Sequence, residues 1–330
     1  RFPLCGRGDV NTYSVFAETA RTILGPLGRA GNILPTGIAT DDTTKDFFAD
    51  LMGRGSLASL YDFENKNIFP HVHSSYKFCL LTLSGSARPV AEADFAFFLH
   101  ATSELGDEGR RFGLTAADIA LVNPNTRTCP IFRTARDAEL TKQIYRRVPV
   151  LIDENREDGN PWGAYYMRLV HLGDHSAEIR FGWQDRPEGC HTPMYESKLF
   201  SPYDHRFATF SGVSRPDAEA GKPRAMTADE KRDPDTTTTT RYFVRRAFAE
   251  TLFSKYPEYT RRWLLVWRDV ARATDERTAL ATAIPHVVAS VTAPALATDA
   301  GAPAACLIAV LASFTADYVA RQKVGGVHLN

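Results

Sequence analysis

From Tyr13 onward the apolar residues fall at Tyr13, Phe16, Ala17, Ala20, Ile23, Leu24 and Leu27, an unbroken i, i+3, i+4, i+7 stripe. That spacing predicts an amphipathic helix. Asp9, Asn11 or Thr12 can cap its start, and Gly25-Pro26 with Gly28 ends it, because proline cannot continue the ladder and glycine accepts positive φ. A short apolar strand, Asn32 to Pro35, follows. Asp41 or Asp42 then caps a second helix that buries Phe47, Phe48, Leu51 and Met52 and is closed by Gly53 and Gly55. Two strand-like runs come next, Ser59 to Phe63 and Tyr76 to Leu83, across a loop holding Asn65, Pro70, His71 and His73. Helix, strand, helix, strand, strand is the order that the second half of a doubly wound α/β sheet gives, with a closing hairpin.

Downstream, Phe95 to Leu99 reads as a strand, Thr115 to Leu121 and Ala135 to Tyr145 as short helices, and Val148 to Ile152 as a further strand. The stretch from Tyr165 to Trp183 is β-rich. From Ser211 to Thr240 the chain turns polar, with Pro216, Pro223, Pro234 and five consecutive threonines, and is expected to be a loop or partly disordered excursion. Phe248 to Phe253 and Arg261 to Ala273 are expected to be helical, Ala279 to Val291 β-prone, and Thr292 to Ala305 an Ala/Pro-rich loop. Leu307 to Tyr318 makes a final apolar helix or strand pair before a flexible Gly325-Gly326 turn.

With 44% apolar residues, the 330-residue chain can bury a real core in one large or two ordinary domains. There is no apolar run long enough to span a membrane, and Arg1-Phe2-Pro3 offers neither a signal region nor an initiator Met, so a cytoplasmic fragment is expected. The five cysteines, Cys5, Cys79, Cys129, Cys190 and Cys306, lie far apart without a C-x-x-C pair, which fits reduced thiols rather than a zinc ribbon or a disulfide framework. Zero formal net charge excludes nucleic-acid binding by bulk electrostatics, which needs a basic excess to displace counterions. Local basic density does exist, at Arg110-Arg111, Arg146-Arg147, Arg241 to Arg246 and Arg261 to Arg277.

Asp9 to Phe16, followed by Gly28-Arg29-Ala30-Gly31-Asn32-Ile33-Leu34-Pro35-Thr36-Gly37, resembles the part of adenine-specific DNA methylases that directly follows their catalytic loop. The likeness continues through Ile38 to Lys45, Leu60-Tyr61-Asp62-Phe63-Glu64-Asn65, Ile68-Phe69-Pro70 and Ser75 to Cys79. These segments are similar to type IIG restriction-modification and phage-defence methylases. Asn123 to Pro130, Pro202-Tyr203-Asp204-His205-Arg206, Arg272 to Thr278 and Tyr318 to Gly326 extend it over nearly the whole chain. In that family an Asn-Pro-Pro-aromatic loop holds the flipped adenine. No such tetrapeptide occurs here, Asn123-Pro124-Asn125 being a near miss made of ordinary turn formers. A glycine-rich S-adenosylmethionine loop is missing too, since Gly6-Arg7-Gly8 lacks the third glycine and a preceding strand.

The resemblance therefore implies an α/β chain: a partial Rossmann-like methyltransferase sheet at 1–90, a connecting region at 91–164, and an α+β DNA target-recognition region at 165–330. It implies double-stranded DNA as partner, together with an N-terminal methylase/nuclease part or defence-system subunits, S-adenosylmethionine bound mainly by the missing N-terminal part, and no methylation by this chain alone. No catalytic, cofactor or metal residue is expected. For DNA contact the resemblance points to Arg206, and side-chain chemistry adds Arg268, Arg272, Arg277, Thr278, Gln322 and Lys323, because Arg and Gln read base edges and Lys neutralises phosphate. Intra-domain ion pairs with Asp269, Asp275 and Glu276 are the alternative role.

Phe69 and Phe78 lie where related methylases set an aromatic near the target base, or they are hairpin core. Asp9 and Tyr13 are a plain cap and a core aromatic, or the back of the family's active site. Trp263 and Trp267 are core or a stacking platform. His71 and His73 with His100 or Asp41 would be the only candidate metal cluster. A pure DNA-binding or assembly subunit, and an unrelated hydrolase centred on His191 and His205, are the rival readings.

Overall fold

The structure is a computed structural model that describes residues 2–6, 8, 10–66, 68–74, 76–182, 189–298, 303–324 and 328–329. It divides into two compact units, Arg1–Gly159 and Asn160–Asn330. Asp9, Ser75, Trp183 and the Gly325-Gly326 turn lie outside the described residues.

In the first unit, helix α1 (Thr12–Ile23) starts at Asn11, whose side chain accepts the N–H of Tyr13, and leads into strand β1 (Arg29–Pro35). The one-turn α2 (Gly37–Thr40) and α3 (Lys45–Gly53) follow, then β2 (Leu57–Glu64), β3 (Lys77–Ser84), β4 (Ala93–Leu99), β5 (Phe112–Leu114), α4 (Ala116–Val122) and α5 (Ala135–Arg147). The sheet order is β1-β3-β2-β4-β5. Strand β3 is antiparallel to both β1 and β2, so β1 and β2 run the same way, joined by the α2–α3 crossover with the hairpin strand inserted between them. Strand β4 adds parallel to β2, and β5 antiparallel to β4. Segment 91–164, expected as a connection, thus supplies two strands to this sheet. Its run Phe95-Ala96-Phe97-Phe98-Leu99 is wholly buried, and Phe95, Phe97 and Phe112 stack with centroids 6.1, 6.2 and 6.3 Å apart. Each such ring is worth about 1.5–3 kcal/mol of burial. The expected mixed α/β class holds.

Helix α3 buries Phe47, Phe48, Leu51 and Met52 as its spacing required, and Gly55 closes it at φ +62°, where an added Cβ would stand 2.9 Å from the Val90 carbonyl oxygen. Helix α1 differs from expectation. The side seated on the chain is Ser14, Ala17 and Glu18, because the Glu18 carboxylate accepts the N–H groups of Leu4 (3.3 Å) and Cys5 (2.9 Å). The apolar stripe is divided: Ala17 is buried and Tyr13 and Leu24 pack half-buried against the core, while Phe16 is 70% and Ile23 78% exposed, next to β1, which is an edge strand.

Residues 148–152 form no strand. Asn125 fixes them as a loop, donating from Nδ2 to the Ile152 carbonyl (2.9 Å) and accepting the Glu154 N–H at Oδ1 (2.9 Å). Asn123-Pro124-Asn125 is thus a turn that clamps this loop.

The second unit contains β6 (Tyr165–Met167), β7 (Ile179–Phe181), β8 (His191–Tyr195), β9 (Ala208–Thr209), α6 (Arg215–Glu219), β10 (Arg224–Ala225), α7 (Ala228–Arg232), β11 (Tyr242–Arg245) and α8 (Arg246–Phe253). Strands β12 (Trp263–Trp267), β13 (Ala281–Pro285), β14 (Val288–Ala289) and β15 (Ala295–Ala297) and helices α9 (Ala304–Leu311) and α10 (Phe314–Arg321) complete it. Two four-stranded sheets form, in the orders β13-β12-β15-β6 and β14-β8-β11-β7.

Three expectations are corrected here. Residues 263–267 are a strand and not a helix, because the run Trp-Leu-Leu-Val-Trp finds antiparallel partners on both sides, and a continuous apolar run suits a doubly covered strand. Residues 295–297, expected as loop, are a fully buried strand paired antiparallel with β12 on one side and β6 on the other. The polar stretch 211–240 folds into α6, β10 and α7, with Ala218, Thr238 and Thr240 buried. No single described helix is long and apolar enough to cross a membrane.

Candidate nucleic-acid interface

The strands β1, β2 and β4 end together at Pro35, Glu64 and Leu99, the carboxyl edge where α/β sheets place their ligands. A buried knot holds this edge. Asp62, 2% exposed, accepts the Thr36 hydroxyl (2.5 Å) and the Phe98 N–H (3.0 Å). Burial raises its carboxyl above the usual range, against the opposing pull of those two bonds and of Lys77. Pairing of β2 with β4 slips between Tyr61/Ala96 and Phe63/Leu99, a bulge that puts Phe98 in the left-handed region at φ 58°. A non-glycine residue held there costs about 1–3 kcal/mol. Arg110 bonds the Phe97 (3.1 Å) and Phe98 (2.9 Å) carbonyls, and the cations of Lys77 (4.5 Å) and Arg133 (4.1 Å) lie over the Phe98 ring.

Phe78 stacks on Phe63 (5.4 Å) and meets Phe69 edge-on (4.9 Å). The aromatic pair singled out in the sequence is therefore brought together, with Phe69 38% exposed at the rim. Buried Asn65 secures the loop carrying it, bonding the N–H and carbonyl of Phe69 and the carbonyl of Val72. Tyr13 sits near the same edge, and burial followed by the nearby Asp41 carboxylate raises its phenol. His71 and His73 are exposed, and no group of metal-binding side chains occurs among the described residues.

The anticipated DNA-contacting residues lie in the second unit. Arg206 donates to the carbonyls of Asp233 (2.8 Å), Thr236 (2.9 Å) and Lys231 (2.5 Å), closing the end of α7 and the loop after it. Arg277 and Thr278 meet at Asp317, a carboxylate that the sequence reading did not single out. Asp317 is 5% exposed and accepts the N–H groups of Thr278 (2.7 Å) and Ala279 (2.8 Å) and the Arg321 guanidinium (2.9 Å). Desolvation opposes its ionisation, but the Ala279 N–H, Arg321 and the Thr278 N–H outweigh it and hold the carboxyl below its ordinary value.

Arg277 bonds the Ala312 carbonyl (2.7 Å), lies 3.5 Å from Asp317 and rests over the Phe314 ring. Thr278 and Gln322 are buried. Arg268 is half-buried against the Phe200 carbonyl (3.5 Å), and desolvation lowers its guanidinium. Arg272 presents an exposed side chain. Desolvation pushes the Lys323 ammonium down to about 8, yet the side chain keeps solvent-accessible surface, and that surface decides its reach.

Trp267 donates its indole N–H to the Leu329 carbonyl (3.0 Å) and packs on Tyr166, while Arg261 lies over Trp263. Of the hydrolase pair, His191 neighbours the Cys190 sulfur (3.7 Å), and burial, then Arg206, lowers the His205 imidazole.

No protein-family model matches the chain. No curated protein matches it either. Among solved structures the chain is similar to the type IIL restriction-modification enzyme MmeI in complex with DNA, at 12% identity and a TM-score of 0.44, covering 96% of this chain and 38% of that one. It is similar to the type IIG restriction endonuclease BpuSI at 12% identity and a TM-score of 0.31, covering 94% and 39%. The ATP-dependent type ISP restriction-modification enzyme LlaBIII bound to DNA matches at 9% identity and a TM-score of 0.28, covering 86% and 20%. The chain thus spans well under half the length of each.

Proposed function

We propose that this chain is the C-terminal portion of a site-specific DNA adenine methyltransferase of the restriction-modification type, supplying part of the methylase sheet and the DNA target-recognition region. The observation that carries the reading is the first sheet. Parallel β1 and β2 flank an inserted antiparallel hairpin strand, and their shared carboxyl edge holds the Asp62–Thr36–Phe98 knot beside the Phe69/Phe78 pair. These are the segments in which the sequence resembles adenine methylases. The methyl donor would be S-adenosylmethionine. No described strand leads through a glycine-rich turn into a helix, so the residues present do not form its site, and no transfer step is assigned to them. Chemistry on the adenine would be supplied by another part of the enzyme.

The exposed Phe16 and Ile23 of α1 and the open edge of β1 favour a second reading, a non-catalytic DNA-binding or assembly subunit that works with a separate catalytic chain. Selection of bound sequences from a random duplex library across a salt series tests the DNA half of both. Enrichment of a discrete adenine-containing motif, with affinity falling steeply as salt rises, supports target recognition. Absence of binding at low salt would remove it.

A further inference from the structure

Within the five-threonine run Thr236 to Thr240, burial alternates from Thr237 to Thr240. Thr238 and Thr240 are buried, their hydroxyls donating to the Met226 sulfur (3.6 Å) and the Tyr242 carbonyl (3.0 Å). Thr237 is exposed and Thr239 half-buried. The backbone is pinned there as well, the Thr239 N–H donating to the Thr209 hydroxyl (3.0 Å) and its carbonyl accepting the Phe210 N–H (3.0 Å). Thr237 to Thr240 all line a cavity of about 540 Å³, Thr238 and Thr240 with hydroxyls already engaged, and its other walls include Tyr195, Ser211, Phe243, Pro285 and Val287.

No lining residue is charged. Arg224, beside it, donates to the Ser211 carbonyl (2.7 Å), and its charge is met by both carboxylate oxygens of Glu230 (2.9 and 2.6 Å). A phosphate or carboxylate entering the cavity would find no countercharge. A flat, uncharged ring with polar edges would find apolar walls and hydroxyls able to donate or accept, the pairing by which Ser and Thr meet base edges and apolar groups meet the thymine methyl. The volume is that of a small-molecule site.

We infer that this cavity binds a single nucleobase, with Thr237, Thr239 and Ser211 reading its edge while sugar and phosphate stay outside. In DNA recognition the base would enter unpaired, an inference that rests on the target-recognition reading above.

Saturation-transfer NMR on the intact chain with the four deoxynucleosides tests the cavity without needing duplex binding. At least one nucleoside should receive saturation, and Thr237→Val with Thr239→Val, which keeps shape and removes two hydroxyls, should weaken it about tenfold or more. The variant should unfold at the wild-type denaturant midpoint. Saturation of no nucleoside, or of a methyl hexoside alone, would overturn the inference, as would equal binding by a folded variant. Duplex selection without nucleoside binding removes the cavity and leaves the recognition reading. Nucleoside binding without duplex selection does the reverse.

Discussion

Arg241 meets Glu196 through two hydrogen bonds of 2.9 and 2.8 Å, with both side chains almost out of solvent. The same guanidinium bonds the Ala218 (2.8 Å) and Glu219 (3.0 Å) carbonyls, tying the end of α6 to the residue after β8. Arg241→Ala should cost about 3–5 kcal/mol, because it strands the Glu196 charge in a buried site. Pairing Arg241→Met with Glu196→Leu should recover most of that loss. Denaturant unfolding of the three proteins checks it, and a single variant as stable as wild type would mean that Glu196 is hydrated.

Cys5, Cys79 and Cys129 are buried, and desolvation raises each thiol, that of Cys5 to about 12, while Cys190 and Cys306 are exposed. The thiolate is the form that attacks a thiol reagent. Under native conditions a thiol reagent should modify Cys190 and Cys306 promptly and the other three only on unfolding, as mass mapping of the labelled peptides would reveal.

Asp317 should make the second unit acid-sensitive. Its carboxyl is held below the ordinary value in the folded state, so its stabilisation is complete above the unfolded value, near about 3.9, and is lost as pH falls through the folded one. Asp317→Asn should lose on the order of 1–3 kcal/mol at pH 7, since two backbone N–H groups and Arg321 keep only a neutral acceptor. The gap to wild type should narrow below about pH 4. A gap that is constant from pH 7 to pH 3 would contradict this assignment.

Asp317 also marks where sequence reading stops. Ser313 caps the helix start and Asp317 pairs with Arg321 four residues on. The partners that make Asp317 a hub, Thr278 and Ala279, lie 39 and 38 residues away, and no local period encodes that distance. Helix α3 was legible because Phe47, Phe48, Leu51 and Met52 fall on one helical face. Strand β12 was not, since a solid apolar run carries no period and only its two neighbours decide it. The Phe69/Phe78 pair was picked out through the methylase resemblance. Phe98, which completes that edge, required the bulge opposite Asp62 to be seen.

The exposed part of the α1 stripe has a consequence for association. Phe16 and Ile23 lie on an outward helix face beside an edge strand whose Ile33 is 61% exposed, a combination that invites self-pairing. The chain alone should associate reversibly with rising concentration in sedimentation experiments. Phe16→Glu with Ile23→Glu should suppress this with little change in unfolding midpoint, because neither side chain is buried in this chain. A wild-type chain that stays monomeric at high concentration would count against an open edge.

Arg272 and Arg277 should behave oppositely although they are five residues apart. The Arg272 side chain is exposed, so Arg272→Ala should leave stability within about 0.5 kcal/mol. If the region binds DNA as proposed, the same change should lower the slope of log affinity against log salt by about 0.9, the signature of one lost phosphate contact. Arg277 spends its guanidinium on the Ala312 carbonyl, Asp317 and the Phe314 ring. Arg277→Ala should therefore destabilise the unit by about 1–3 kcal/mol and leave the salt slope of the folded protein unchanged. Unfolding curves together with binding titrations at several salt concentrations separate the two roles. A reduced salt slope for the Arg277 variant at full stability would reassign that guanidinium from fold to ligand.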